Sequence, residues 1–141
     1  MESASLGLTR GFVVDSSVLV TAERGKLTTP EVIRKRPAGR RRCTYRHLRP
    51  HGGRAWPWHL SHARRGGRFL DELKQHVPIH PISGATAEII ARVGGEQSAK
   101  GIGVPFADLI IGCCALELEY AVATHNIRHF RLIPGLDVRQ F

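Results

Sequence analysis

The chain has 141 residues, of which 42% are hydrophobic, which is enough for one globular domain with its own core. This composition excludes a chain that is disordered throughout, and no apolar run reaches the roughly 18–20 residues that cross a bilayer. The amino terminus has no basic start followed by an apolar signal region. We therefore expect a cytoplasmic protein that is neither exported nor bound to a membrane and whose three cysteines are reduced.

The formal net charge of +9 comes from one tract of the chain. Residues 32–70 hold 12 of the 21 Lys and Arg residues and none of the 12 Asp and Glu residues. Outside the tract, the other 9 basic residues are outnumbered by the 12 acids. The charge indicates an anionic partner, but the basic character belongs to the tract and not to the domain as a whole.

The first elements of the chain are a strand and a helix. Residues 12–14, FVV, form a short apolar run that is typical of a buried strand, and Asp15 ends it. Ser16 or Ser17 can cap the helix that follows, and Gly25 is a suitable stop.

A second helix is predicted to begin near Glu31, because residues 28–30, TTP, resemble an N-cap and first turn. From Arg34 the pattern ends: there is no Val, Ile, Phe or Met between Arg34 and Arg68, so neither helical nor strand periodicity can be traced. We expect a loop of about 30 residues there, which is rare inside a compact domain. One element of the fold should therefore be missing or disordered in residues 34–68.

Regular patterns return in the second half of the chain. Val77 and Ile79 suit a strand beside prolines, and Ser83 is a suitable cap for a helix. The apolar stripe expected on that helix consists of Ala87, Ile90 and Ala91.

The last elements are a helix and two strands. Pro105 begins an apolar helix, residues 121–124, AVAT, form a short buried strand, and a Pro-Gly turn at Pro134 leads into the final strand. The core face expected on the helix consists of Leu109, Ile110, Cys113 and Leu116. Strands that alternate with helices predict a single α/β domain, residues 1–141, with a mostly parallel central sheet and helices on both faces.

Three polar residues are candidates for a site, because ligands of open α/β sheets bind beyond the carboxyl ends of the strands. Asp15 follows the first strand, Asn126 follows AVAT, and Asp108 lies in the first turn of an apolar helix. If Asp15 and Asp108 meet, a divalent ion would offset their repulsion, and oxygen ligands suit Mg²⁺ or Mn²⁺. The alternatives are a helix cap for Asp15, a helix-dipole partner for Asp108 and an ordinary turn residue for Asn126.

The segments VVDSSVLV, PFADLIIGCCALELEYAVATHNIRHF and IPGLDV together resemble the PIN-domain ribonucleases, in particular VapC-type toxins of toxin–antitoxin pairs. The resemblance covers about residues 10–33 and 69–141, roughly two-thirds of the chain. It implies a PIN-like three-layer α/β/α fold and a Mg²⁺- or Mn²⁺-dependent endoribonuclease. It also implies that Asp15 and Asp108 bind the metal, with Asn126 as a weaker catalytic contributor, and that the partners are an RNA substrate, a cognate antitoxin and a second copy of the chain.

The sequence departs from the family in its middle third. The family places a further acid there, usually Glu, whereas residues 32–70 contain no acid and Glu72 lies where the family has a later helix. A site that lacks one carboxylate should lose metal affinity and rate. The rival hypothesis is a non-catalytic remnant of a PIN domain that binds RNA or its antitoxin through the basic tract.

Residues 38–60 admit three interpretations. An RNA-binding arm would use arginines for phosphates and Tyr45, Trp56 and Trp58 for stacking. A metal site would draw on a set of thiol and imidazole ligands, although their spacing matches no compact zinc pattern. These ligands are Cys43, His47, His51, His59 and His62. The favoured hypothesis is that residues 34–68 are an out-of-frame segment bounded by compensating frame changes near residues 33–36 and 65–68.

Overall fold

The computed structural model describes residues 11–34, 43–45, 71, 72, 75, 76 and 80–141 of the chain. Its strands are β1 (Phe12–Val14), β2 (Cys43–Tyr45), β3 (Ala121–Thr124) and β4 (Val138–Gln140). Its helices are α1 (Ser16–Arg24), α2 (Thr29–Arg34), α3 (Gly84–Ala99), α4 (Phe106–Leu118) and α5 (Ile127–Phe130). The strand expected at Val77 and Ile79 lies outside the described residues.

The described strands form one sheet in the order β2-β1-β3-β4, and all three pairings are parallel. Val13 of β1 aligns with Val122 of β3, which in turn aligns with Val138 of β4. The mostly parallel sheet predicted from the sequence is confirmed. Parallel strands bring their carboxyl ends to one edge, so the residues that follow β1 and β3 become neighbours.

Strand β2 lies inside the basic tract, where no strand was predicted. Cys43 to Tyr45 pairs with Phe12 to Val14 in parallel register. The prediction that the tract contributes nothing regular was therefore wrong at these three residues. A strand of three residues is too short to show a periodicity in the sequence. Its position depends on hydrogen bonds to the backbone of β1, and backbone groups are common to almost all residue types.

The two faces of the sheet bury different residues, as the two-residue period of a strand requires. Val13 and Val122 belong to the main core cluster, which they share with residues of α4. Phe12, Ala121 and Ala123 form a second cluster, against which the C-terminal Phe141 packs. Every residue of β1 and β3 is buried, as expected for the central strands of a parallel sheet.

Helix α4 lies against β1 and β3 and is buried on most of its surface. Pro105 precedes it, as predicted, and the left-handed Glu119 (φ 56°) ends it. Its buried residues are Leu109, Ile110, Ile111, Gly112, Cys113, Cys114 and Ala115. Leu116 is only partly buried. Burial raises the pKa of the Cys113 thiol to about 11, so the group is a neutral packing atom at physiological pH.

Helix α3 begins with a capping box between Ser83 and Thr86, which confirms the predicted cap. Its buried residues are Thr86, Val93 and Gln97, and Ile89 and Ile90 pack partly against the core. The predicted apolar stripe was wrong at Ala87 and Ala91, which are exposed, and right at Ile90. A 100° step per residue places Thr86, Val93 and Gln97 on one stripe, so two polar side chains occupy core-facing positions. None of the helices in the described parts of the chain is long and apolar enough to span a membrane.

Candidate functional site

Asp15 lies at the carboxyl end of β1 and is only 4% exposed. Its Oδ2 accepts hydrogen bonds from Ser17 Oγ at 2.6 Å and from Thr124 Oγ1 at 2.9 Å. Its backbone N–H donates to the carbonyl of Ala123 at 3.0 Å, which continues the pairing of β1 with β3. These hydrogen bonds fix the orientation of the Asp15 carboxylate at the end of β1.

Thr124 connects Asp15 to the turn that follows β3. It is the last residue of β3 and is fully buried. Its hydroxyl donates to Asp15 and accepts a hydrogen bond from the backbone N–H of Asn126 at 2.9 Å. The position of Asn126 is therefore tied to the carboxylate of Asp15 through one hydroxyl group.

Asp108 lies in the first turn of α4, and its Oδ2 is 2.7 Å from Nδ1 of His129. The same ring nitrogen is 2.7 Å from Nδ2 of Asn126. A protonated Nδ1 donates to Asp108, and an unprotonated Nδ1 accepts from the amide of Asn126, but one nitrogen cannot do both at once. His129 therefore links Asp108 and Asn126, and the bond it makes to each depends on where its proton sits.

Four contacts of hydrogen-bond length connect Asp15 to Asp108, and the two at His129 Nδ1 alternate with the position of its proton. They run from Asp15 through Thr124, Asn126 and His129 to Asp108, with donor–acceptor distances of 2.9, 2.9, 2.7 and 2.7 Å. The three site residues predicted from the sequence thus belong to one network at the carboxyl edge of the sheet. The roles assigned to them stay predictions.

Sequence reasoning did not identify Ser17 or His129 as members of this network. Ser17 was interpreted only as a possible helix cap, yet its hydroxyl lies two residues after Asp15 and donates to its carboxylate. His129 is three residues after Asn126, a spacing that places two side chains on the same face of a helical turn. That spacing was the available signal, and it becomes informative only once a turn of helix is assigned to residues 127–130.

The oxygen donors in this network are of the type that a divalent ion such as Mg²⁺ accepts. Mg²⁺ is commonly bound by one or two protein carboxylates, with waters and substrate phosphates completing its shell. Asp15 and Asp108 supply two carboxylates, and Asn126 adds an amide oxygen. Within the described ranges, no group of three or more His, Cys, Asp or Glu side chains is placed to hold a metal ion. Glu72, the nearest acid after the basic tract, is exposed.

The structure does not test the three hypotheses about residues 38–60. Of residues 38–60, the structure describes only the backbone of 43–45. The aromatic side chains Tyr45, Trp56 and Trp58 and the five possible ligands from Cys43 to His62 are not among the described side chains. The arm, metal-site and out-of-frame hypotheses all stay predictions.

No protein-family model matches the sequence, and no curated protein matches it either. Solved structures do match. The structure of VapBC-1 from nontypeable Haemophilus influenzae matches with a TM-score of 0.69 at 16% identity, covering 92% of this chain and 97% of the other. VapBC2 from Rickettsia felis bound to a DNA fragment from its promoter also gives 0.69 at 16% identity, with 93% and 98% covered. DNA-bound VapBC from Salmonella typhimurium gives 0.68 at 17% identity, with 94% and 98% covered.

These likenesses establish the fold and nothing beyond it. The sequence identities are too low to assign a function to this chain. The likenesses extend over more than nine-tenths of each chain. The PIN-like α/β fold expected from the sequence is confirmed.

Proposed function

We propose that this chain is a metal-dependent endoribonuclease toxin of a toxin–antitoxin pair. One observation carries the proposal: Asp15 and Asp108, which are 93 residues apart in the chain, belong to one hydrogen-bond network at the carboxyl edge of a PIN-like sheet. That edge is where ligands of open α/β sheets bind.

Five residues of the network have a definite part in the proposal. Asp15 and Asp108 would hold a Mg²⁺ or Mn²⁺ ion, which would polarise a phosphodiester and lower the pKa of a water. Ser17 and Thr124 fix the carboxylate of Asp15 through its Oδ2. Asn126, whose backbone is held by Thr124, orients a water or a phosphate oxygen.

We propose further that the activity is weak. The basic tract contains no acid, so no carboxylate from residues 32–70 can complete the metal site. A two-carboxylate site binds Mg²⁺ less tightly than one with three or four, because each removed carboxylate takes away a full negative charge. Millimolar Mg²⁺ or Mn²⁺ should therefore be needed for measurable cleavage.

The proposal includes two protein partners and one compartment. The three solved structures of similar fold described above are of VapBC. By analogy, we propose that a cognate antitoxin binds this chain and covers the carboxyl edge of the sheet, that the chain forms a homodimer, and that it acts in the cytoplasm.

The test is cleavage of a structured RNA by the purified full chain with Mg²⁺ or Mn²⁺, with and without EDTA. Cleavage that requires the metal and is lost in Asp15→Asn and in Asp108→Asn supports the proposal. Cleavage that persists in EDTA or in both variants overturns it, since it would come from a contaminant or from another site.

A second candidate function rests on the charge distribution. Residues 32–70, with 12 bases and no acid, favour binding of a polyanion without catalysis. In that case RNA binds with strong salt dependence and is not cut at any metal concentration. Measuring the binding of the same RNA at several salt concentrations beside its cleavage separates the two functions.

A further inference from the structure

His129 is the member of the sheet-edge network to which the proposed function gives no part. It lies on the short helix α5, next to Phe130, which is fully buried in the main core cluster. Its ring nitrogen Nδ1 is 2.7 Å from Asp108 Oδ2 and 2.7 Å from Asn126 Nδ2. One atom of this ring therefore contacts both a proposed metal ligand and the residue proposed to orient a water or a phosphate oxygen.

The contact between His129 and Asp108 requires a proton on Nδ1. An ionised carboxylate can only accept a hydrogen bond, so Nδ1 must be the donor across this 2.7 Å distance. The neutral ring meets the requirement in the tautomer that is protonated at Nδ1, and no charge on the ring is needed. While it donates, Nδ1 has no lone pair for a cation, so this nitrogen acts on an ion only through Asp108.

The hydrogen bond from His129 orients a carboxylate that is mostly buried. The Asp108 side chain is 16% exposed, and within the described residues it accepts a side-chain hydrogen bond from His129 alone, at Oδ2. Carboxylates that bind metal ions are usually held by hydrogen bonds of this kind. Asp15 is held in the same manner, because Ser17 and Thr124 both donate to its Oδ2. The imidazole thus has the part at Asp108 that two hydroxyl groups have at Asp15.

The proton on Nδ1 also changes what the Asn126 side chain can do. Nδ1 accepts from the Asn126 amide only when it carries no proton, and in that state it cannot donate to Asp108. With the proton in place the amide is released from the ring, while the backbone of Asn126 stays bonded to Thr124. The tautomer that orients Asp108 is therefore also the one that leaves the Asn126 amide available to a ligand.

We propose that His129 is the positioning residue of the metal site: its Nδ1–H orients the Asp108 carboxylate for the ion and frees the Asn126 amide. The inference rests on the proposed function and deepens it. Loss of a hydrogen-bond partner behind a metal ligand lowers metal affinity by about 10- to 100-fold. The orientation of each carboxylate matters more where residues 32–70 supply no acid to the site.

An ordinary ion pair is the alternative explanation, and the same helix offers one for comparison. His80 Nε2 is 3.3 Å from Glu117 Oε2, near the other end of α4. Glu117 follows Asp108 by nine residues, which is about 13 Å along the helix axis. This second pair has the same chemical groups but lies at the start of α3 and not at the sheet edge, so it provides a matched control.

The test measures Mn²⁺ binding to the full chain without RNA, by electron paramagnetic resonance of the free ion. The variants are His129→Ala, His129→Asn and His129→Gln. The amide nitrogen of asparagine is as many bonds from Cβ as Nδ1 of histidine, whereas that of glutamine is one bond farther. We expect His129→Ala to weaken Mn²⁺ binding about 10-fold or more. His129→Asn should stay within a few-fold of the wild type, and His129→Gln should resemble His129→Ala.

Two controls separate positioning from a general effect on the fold. His80→Ala removes the histidine of the matched pair and should leave Mn²⁺ binding unchanged. Thermal unfolding without metal shows that each variant is folded. A merely structural role of His129 would give asparagine no advantage over glutamine in metal affinity.

Equal Mn²⁺ affinity of the wild type and His129→Ala overturns the inference, and so does an equal loss in His129→Ala and His129→Asn. A nitrogen coupling in the spin-echo spectrum of bound Mn²⁺ that disappears in His129→Ala also overturns it, since His129 would then be a direct ligand. The proposed function fails separately: a chain whose Mn²⁺ binding depends on His129 but that never cuts RNA contradicts the nuclease proposal alone. A wild-type chain that binds no Mn²⁺ contradicts both.

Discussion

Two regions of this molecule combine a carboxylate, Ser and Thr hydroxyls and a histidine, yet they have different parts in the protein. One is the network at the sheet edge around Asp15. The other joins the end of α4 to the start of α3. There the carboxylate of Glu117 accepts hydrogen bonds from Ser83 Oγ at 3.0 Å and from the hydroxyl of Thr86, and it pairs with His80 Nε2 at 3.3 Å.

The Glu117 cluster is a helix cap. Ser83 and Thr86 form the capping box of α3, and Glu117 brings a negative charge to the positive end of that helix. The hydrogen bond from Thr86 is the main reason that the pKa of Glu117 is lowered from its ordinary value, with His80 and Ser83 adding to the effect. These three partners of Glu117 lie in residues 80–86, so the cluster ties two helix ends together.

The sheet-edge network differs in the origin of its members. Its two carboxylates come from a strand end and a helix start that are far apart in sequence, and they lie where parallel strands end together. Similar side chains at a helix end form a cap, whereas at the strand ends they bring two carboxylates into one network. The position in the fold, and not the residue types, separates a structural cluster from a candidate site.

The largest expected effect is on cleavage. Asp15→Asn and Asp108→Asn should each reduce metal-dependent RNA cleavage by at least about 100-fold, because a bound ion contributes several kcal/mol to the transition state. Glu117→Gln is the matched control, since it also neutralises one carboxylate in a hydroxyl-rich cluster. It should keep cleavage within a few-fold of the wild type. A similar loss in all three variants would erase the distinction between the two regions.

The second largest expected effect is on stability. It depends on the packing of α4 against residues 133–136, which follow β3 and α5. A methyl group at Gly112 of α4 would overlap Ile133 Cδ1 and lie 3.2 Å from Leu136 Cδ2. Because Ile133 is buried, Gly112→Ala should destabilise the fold by about 1–3 kcal/mol. Denaturant unfolding measures the change.

Gly95→Ala is the matched substitution, because a methyl group there meets nothing within 4 Å. Gly95 lies inside α3, so alanine should stabilise the protein by about 0.5–1 kcal/mol. Equal effects of the two substitutions would show that the contact of α4 with residues 133–136 is not tight.

A smaller effect is expected at the helix cap. Glu117→Gln should lower the free energy of unfolding by about 1–2 kcal/mol, because it removes the charged acceptor of three side chains. Ser83→Ala should cost about 1 kcal/mol as the loss of an N-cap. The double variant Glu117→Gln/Ser83→Ala tests whether the two residues are coupled. Its loss of unfolding free energy should be smaller than the sum of the losses in the two single variants.

The smallest effect is the pH dependence of that stabilisation. The native pKa of Glu117 lies below its ordinary value of 4.5, so the unfolded chain binds the proton more readily. The difference in unfolding free energy between the wild type and Glu117→Gln should be complete above pH 4.5 and should shrink as the pH falls through the native pKa. Denaturant unfolding at neutral and acidic pH measures it. A difference that grows with acid would contradict the assigned shift.

The sequence by itself determined the elements whose signals are local. Phe12 to Val14 and AVAT are short apolar runs, Ser83 and Pro105 mark helix starts, and each of these predictions was confirmed. The candidate residues Asp15, Asp108 and Asn126 were also found from the sequence, because strand ends and helix starts are themselves local features.

Only the tertiary structure decided what lies beside what. Thr124 and His129 link the two aspartates because β1 and β3 pair in parallel and α5 packs on α4, which are contacts between distant segments. The buried face of α3 follows Thr86 and Gln97 and not the alanines, because the Thr86 hydroxyl donates to Glu117 and Gln97 Nε2 donates to the carbonyl of Leu132. Strand β2 was invisible in the sequence for the same reason: its pairing depends on the backbone of β1, and backbone groups carry no sequence signal.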